Sequence, residues 1–311
     1  MELTTRAGRL DDAPALADLF NTIDVAAGGH AGFTASDMSG FLTGAVRDPA
    51  TDTRLVTTPD GAVIAVGLVP APPEGGFRVD IYGGVHPDWR GRGLGRDLLT
   101  WQLARAGELH RDLAPQASWE AETAAMLDDH SAHRTFERFG FAPVRYFSDM
   151  VADTTPTAAV ALPPGLRCEP YKPEFEQALY EAHMEAFSDH WGFQRRALDA
   201  WVLLTVGSDG FRPQWSRVAF DGDAIAGYVL GYADGSPDRV YIGQVGTRRP
   251  WRRRGLAGAL LGEVMAAAHA DGLKFAGLGV DADSPTGAVG VYERIGFRAE
   301  SRTVAFRRPV D

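Results

Sequence analysis

Arg90-Gly91-Arg92-Gly93-Leu94-Gly95 and Arg252-Arg253-Arg254-Gly255-Leu256-Ala257 decide the reading of this 311-residue chain. Each stretch follows an apolar, β-rich run, Arg78 to Val85 in the first case and Arg239 to Val245 in the second, and each opens an amphipathic segment. Glycine accepts the positive φ that lets successive backbone N–H groups converge, and a helix N-terminus adds unpaired donors of its own. With arginines alongside, such a turn is a device for holding a pyrophosphate. Two copies on one polypeptide point to two nucleotide-cofactor loops.

The likeness between the halves extends past the loops. Phe136-Glu137-Arg138-Phe139-Gly140-Phe141 answers Tyr292-Glu293-Arg294-Ile295-Gly296-Phe297. Self-similarity kept in the same order along a chain is the mark of a duplication. Between the copies, Thr154 to Gly165 carries three prolines and no charged side chain. The sequence therefore predicts an N-terminal domain over 1–153, a linker over 154–165 and a C-terminal domain over 166–311. Length agrees, because one core rarely serves more than about 250 residues.

Within each half the pattern reads helix, helix, strands, glycine–arginine turn, long helix, strand, short helix, final strands. Ala13 to Phe20 and Glu174 to Phe187 show helical spacing, whereas Ala62 to Val69 and Arg217 to Tyr232 read as strands, the latter broken at Asp221-Gly222-Asp223. Leu94, Leu98 and Leu103, and Leu256, Leu260, Val264 and Met265, form apolar stripes that belong to a core.

Composition excludes several classes. With 45% apolar and 23% charged residues the chain is an ordinary globular protein. No run approaches the roughly 18 apolar residues of a membrane span, and the first residues lack the charged-then-apolar order of an export signal. Cys168 is the sole cysteine, so no internal disulfide is expected and a reducing cytoplasm fits. A net charge of −10 argues against nucleic-acid binding. His183 and His190, seven apart without a third ligand nearby, make a poor metal site, and no metal is expected. The dinucleotide fingerprint fails because Arg96 stands where its third glycine belongs, and neither half contains the Gly-Lys-Ser/Thr of a phosphate loop.

The order strand, Arg-x-x-Gly-x-Gly/Ala, helix, strand, short helix, Tyr-x-x-x-Gly-Phe resembles the GNAT superfamily of acyl-CoA-dependent N-acyltransferases, once per half. The tandem arrangement and the stretch 280–292 resemble the mycothiol synthases and their tandem relatives. That resemblance implies two α+β domains, each a twisted mixed sheet flanked by helices. It implies acetyl transfer from acetyl-CoA, as cosubstrate, to the primary amine of a small molecule, by a monomer or homodimer. Gln244, Val245 and Gly246 would offer a strand edge to the peptide-like pantetheine arm, and Arg252, Arg253, Arg254, Gly255, Leu256, Ala257 and Gly258 would meet the phosphates. Gly84, Val85 and the Arg90 to Gly95 loop would do the same in the first half.

The chemistry implied by the family needs an oxyanion donor, for which the N–H near Val245 is placed, and a proton for the departing thiolate, for which Tyr292 matches the family's motif. The bland alternative for Tyr292 is a core aromatic before a turn. Phe136 occupies the corresponding position in the first half and has no proton to give, which marks that half as catalytically degenerate. A glutamate near the start of the strand before the second loop, as in the mycothiol synthases, is replaced by Arg239 on counting from Val245, and arginine cannot accept a proton. His190, within Glu185 to Phe193 and followed by Trp191, is the candidate to take the ammonium proton; its alternative is a surface or packing histidine. At least some of Arg248, Arg249, Arg252, Arg253 and Arg254 are expected on phosphate. Two rival functions remain: a non-catalytic acyl-CoA sensor, and a transferase drawing on aminoacyl-tRNA, which the acidic balance disfavours.

Overall fold

Spacing of apolar residues lays down the same series of elements twice. The first half gives β1 (Thr4–Arg6), α1 (Ala13–Ala26), α2 (Ala35–Gly44), α3 (Pro49–Asp52), β2 (Thr53–Thr57), β3 (Val63–Leu68), β4 (Arg78–Asp80), β5 (Tyr82–Val85), α4 (Leu94–Leu113), β6 (Glu120–Met126), α5 (His130–Arg138) and β7 (Ala142–Asp153). The second gives β8 (Leu166–Pro170), α6 (Glu176–Phe187), α7 (Leu198–Leu204), β9 (Arg217–Asp221), β10 (Ala224–Ala233), β11 (Arg239–Thr247), α8 (Leu256–Ala270), β12 (Phe275–Asp281), α9 (Ala288–Arg294) and β13 (Arg298–Pro309). The computed structural model describes residues 2–155, 160–284 and 287–310. Positions 156–159 of the expected linker and 285–286 of the stretch 280–292 lie outside the described residues.

By contact the chain divides into two units that trade strands. One comprises Met1–Arg145, Gln194–Arg196 and Thr303–Asp311, the other Tyr146–Phe193 and Ala197–Arg302. Each is an α+β domain built on a mixed sheet flanked by helices. In the second unit the order runs β7, β12, β11, β10, β9, β8, with Ser148 to Asp153 of β7 pairing antiparallel to β12. In the first, β13 pairs antiparallel to β6 from Thr303↔Met126 to Pro309↔Glu120. Gln194 fixes its own segment there, accepting from the N–H groups of Phe77 (2.9 Å) and Arg78 (3.0 Å).

Apolar stripes do the packing. In the second unit Leu256, Leu260, Leu261 and Val264 of α8 lie against one sheet face, and Leu179, Tyr180 and Trp201 of α6 and α7 cover the other. In the first unit Leu99, Ala106 and Leu109 of α4 meet Val79, Ala121, Val304 and Phe306.

One irregularity in the sheet matters most. β11 and β12 pair in parallel only from Arg239↔Phe275 to Tyr241↔Gly277, although β11 continues to Thr247 and β12 to Asp281. Just past that point the register of β10 against β11 skips Gly243, between Gly231↔Ile242 and Leu230↔Gln244. The extra residue sharpens the local twist and steers β11 away from its neighbour. A side chain at Gly243 would meet the Tyr232 ring at 2.6 Å, so the bulge needs glycine. The first unit parts in the same place: β4 pairs with β6, whereas β5 pairs only with β3.

Phe306 is 2% exposed and its ring lies 5.4 Å from that of Phe136 and 5.0 Å from that of His133. Replacing Phe306 with alanine is expected to lower stability by about 3–5 kcal/mol in urea denaturation. Hydrogen exchange should loosen in β6 of the same unit and leave β10 unaffected.

Candidate active site

The turn before α8 is set by backbone conformation. Arg253 and Gly255 both take positive φ, 60° and 81°. Gly91 and Gly93 repeat the pattern before α4, with 79° and 85°. Neither helix has a side chain capping its first turn, so the leading N–H groups of Leu256, Ala257 and Gly258, and of Leu94 and Gly95, have no intrahelical acceptor. In both halves the first arginine of the motif folds back onto the strand it follows. Arg252 Nε donates to Thr247 O (3.1 Å), and Arg90 Nε to Val85 O (3.4 Å).

Arginines of the second loop divide into two sets. Arg248 is paired with Glu185 at 2.7 Å, Arg249 with Asp189 at 2.6 Å, and Arg252 with Asp189 at 2.8 Å. Those two arginines hold the Asp189 carboxyl far below the usual carboxylate range, chiefly through their hydrogen bonds. They serve to tie the loop to the end of α6. Arg253 and Arg254 are exposed and make no hydrogen bond or ion pair among the described residues, which leaves them as cations beside the uncapped helix.

Strand alternation identifies the open edge. Arg248 N donates to Ala226 O (3.0 Å), and with the register Tyr228↔Gly246 and Leu230↔Gln244 this directs the peptide groups of Gly246 and Gln244 toward β10. The N–H and C=O of Val245 then face the gap where β12 has parted. Gly84 stands opposite Val66 just as Gly246 stands opposite Tyr228. An unpaired strand edge, an uncapped helix and free arginines fit the pantetheine arm and the phosphates of an acyl-CoA.

Tyr292 on α9 is 8% exposed and packs in the core against α8, its ring 6.0 Å from Phe297. Burial pushes its phenol up to about 12. Its hydroxyl makes no hydrogen bond among the described residues. His190 lies on the other side of the sheet, in the turn after α6. It stacks on Phe187 at 4.2 Å while staying exposed, and partial desolvation by its neighbours lowers its pKa, with Asp281 opposing. The two residues expected to carry proton transfer thus occupy opposite faces, with the parted strands between them.

A buried pair was not foreseen. His183 Nδ1 and Tyr228 Oη share a hydrogen bond of 2.6 Å, and a side chain at Gly246 would run into the Tyr228 ring. His183 stacks on the far face of Phe187, also at 4.2 Å, so His190, Phe187, His183 and Tyr228 form a continuous series ending beneath Gly246. Forty-five residues separate the bonded pair, and nothing local signals it. Gln244 Oε1 is sealed from solvent and has no hydrogen-bond partner among the described residues. Among the same residues no three His, Cys, Asp or Glu side chains gather to hold a metal, and no helix is long and apolar enough to cross a membrane.

A doubled mixed sheet, parted beside a positive-φ turn at a helix start, is the architecture of a tandem acyltransferase. Residues 176–297 match the Acetyltransferase (GNAT) family and residues 52–143 the Acetyltransferase (GNAT) domain. The chain belongs to the GNAT acetyltransferase family. It is 31% identical over 254 residues to the mycothiol acetyltransferase of Thermobispora bispora, covering 78% of each chain. A GNAT N-acetyltransferase of Sphaerobacter thermophilus shares 30% identity at a TM-score of 0.80, over 99% of this chain and 96% of that one. A tandem GNAT protein from the clavulanic acid biosynthesis pathway superposes with a TM-score of 0.73 at 18% identity, over 100% and 99%.

Burial holds His183 near pKa 4, against an ordinary 6.5. The unfolded chain takes up this proton as pH falls through 6.5, while the folded state refuses it until about 4, so stability drops across that window. A His183→Gln variant, which keeps a partner for Tyr228, should flatten the slope of unfolding free energy between pH 6.5 and 4.

Proposed function

We propose that the C-terminal half transfers an acetyl group from acetyl-CoA to the primary amine of a small molecule. The observation that carries this reading is the open edge at Val245 beside the uncapped start of α8, together with a tyrosine hydroxyl that has no hydrogen-bond partner among the described residues. Acetyl-CoA would lay its pantetheine along that edge and its phosphates at Gly255 to Gly258, Arg253 and Arg254. The Val245 N–H then lies where charge develops on the thioester oxygen, and a donor fixed in advance lowers that barrier by several kcal/mol.

Tyr292 acts on the leaving sulfur. With a pKa near 12 the phenol stays protonated at neutral pH and is always available as a donor. Full transfer to a thiolate of ordinary pKa, about 8.5, would run uphill by roughly 5 kcal/mol. Its part is therefore to hydrogen-bond the sulfur as the C–S bond breaks, passing its proton on as the attacking nitrogen gives one up. Phe136 in the first half packs on Phe306 and Phe141 and has no hydroxyl. The N-terminal half, whose loop at Arg90 to Gly95 keeps the same backbone form, accordingly serves to bind ligand or to support the other half. A single cysteine and an acidic surface suit a cytoplasmic enzyme with a small-molecule acceptor.

Thiol release from acetyl-CoA across a panel of amines tests the reading. Turnover with at least one amine is expected, and Tyr292→Phe should reduce kcat by about 100-fold or more with acetyl-CoA binding unchanged. Ligand binding without thiol release for every amine would instead make the chain a sensor.

A further inference from the structure

The position that counting assigns to a glutamate base holds Arg239, and the structure commits Arg239 to Asp234, with Nε at 2.7 Å and Nη2 at 2.6 Å. His190, expected to take the ammonium proton, stacks on Phe187 in the turn after α6 and lies within electrostatic reach of Asp281 at the end of β12; a carboxylate on the parted strands is its competitor. An amine reaching the thioester carbonyl from the face covered by α6 meets the point where β11 and β12 separate, just beyond Tyr241↔Gly277. On that face β12 presents Gly279, whose missing side chain leaves a gap. A methyl there would lie 3.5 Å from Tyr241 Oη and 3.6 Å from Asp149 Oδ1. Asp149 is directly opposite Gly279 in the β7–β12 ladder, on the strand that the first half lends to this unit.

We infer that Asp149 is the general base of the C-terminal site, held in place by Ser301 and flanked by Tyr241. This rests on the acetyl-transfer reading above. Ser301 Oγ donates to Asp149 Oδ2 at 2.7 Å, which fixes the carboxylate and leaves Oδ1 on the side of Gly279 and Tyr241. Asp149 also contributes to raising the Tyr241 phenol, after the larger effect of burial. Its rivals are Asp281, whose Oδ1 accepts from the N–H of Asp283 at 3.0 Å in the turn after β12, and His190, on which Asp281 acts electrostatically. Tyr241 from β11 is the ionisable group beside Asp149, with the Arg239–Asp234 pair further along β11, and Asp281 and His190 act on each other toward the end of β12.

In the step itself, Asp149 takes one proton from the ammonium group, and the freed nitrogen lone pair attacks the thioester carbon. The C–N bond forms, the C–S bond breaks, Tyr292 gives its proton to sulfur, and the second nitrogen proton returns to the Tyr292 oxygen, directly or through solvent. The products are an amide, a free thiol and one proton that leaves Asp149 for solvent.

Asp149→Asn, which keeps an acceptor for Ser301, tests the assignment with the amine that the unaltered enzyme acetylates best. At pH 7 kcat/KM for the amine should fall by about 100-fold or more, while KM for acetyl-CoA stays within twofold. The deficit should shrink as pH approaches the amine's own pKa, because a neutral amine needs no base. Ser301→Ala removes the hydrogen bond that orients the carboxylate, so kcat/KM for the amine should fall by about tenfold with KM for acetyl-CoA within twofold, and Ser301→Thr should restore it. This second arm decides the matter if Asp149→Asn does not fold. An unchanged rate in Asp149→Asn, an unchanged kcat/KM in Ser301→Ala, or the same signature appearing in Asp281→Asn or His190→Gln instead would overturn the assignment while leaving acetyl transfer intact. Absence of thiol release by the unaltered enzyme would remove both.

Discussion

Everything in the C-terminal unit depends on two parallel strands that stop pairing. A strand edge inside a sheet ordinarily has its N–H and C=O groups matched, since leaving them bare costs free energy. Here the bulge at Gly243 breaks the ladder after three residue pairs and exposes the Val245 peptide to whatever fits. The same parting brings the α8 start to one side of the gap and the carboxylate–tyrosine group at Gly279 to the other. The open strand edge, the uncapped helix start and the face at Gly279 are therefore consequences of one kink and not separate inventions.

Duplication supplied two such partings, the second alone carrying the bulge, and the copies have diverged at the polar groups around them. Tyr228 opposite Gly246 becomes Val66 opposite Gly84, and the tyrosine at Tyr292 becomes Phe136. Backbone geometry of the loop survived in both, down to the pair of positive φ angles and the arginine turned back onto the strand. Loop geometry thus outlived the polar groups beside it, which fits the proposal of a first half retained for holding ligand or for support.

Much of this was legible beforehand because it is local. The two loops, the helical stripes and the turn at Asp221-Gly222-Asp223 are written in residues that neighbour one another, and backbone preference acts over that range. The arginine cluster was legible only as a cluster: which members face outward depends on Glu185 and Asp189, some sixty residues earlier. The His183–Tyr228 bond and the approach of Asp149 to Gly279 join segments far apart in the chain. Counting along one strand could show that Arg239 is no base. It could not show a substitute arriving on a strand from the other half.

The exchange of β7 and β13 also sets a timetable for the nascent chain. At ribosomal speeds of roughly 5–20 residues per second, the residues that seal the first unit emerge on the order of ten seconds or more after its other strands. During that interval Val79, Ala121 and Phe136 await the cover of Val304 and Phe306. The second unit meets no such delay, since its borrowed strand is already made when β12 appears. One half is finished on a template, and the other stays open to chaperones until synthesis catches up.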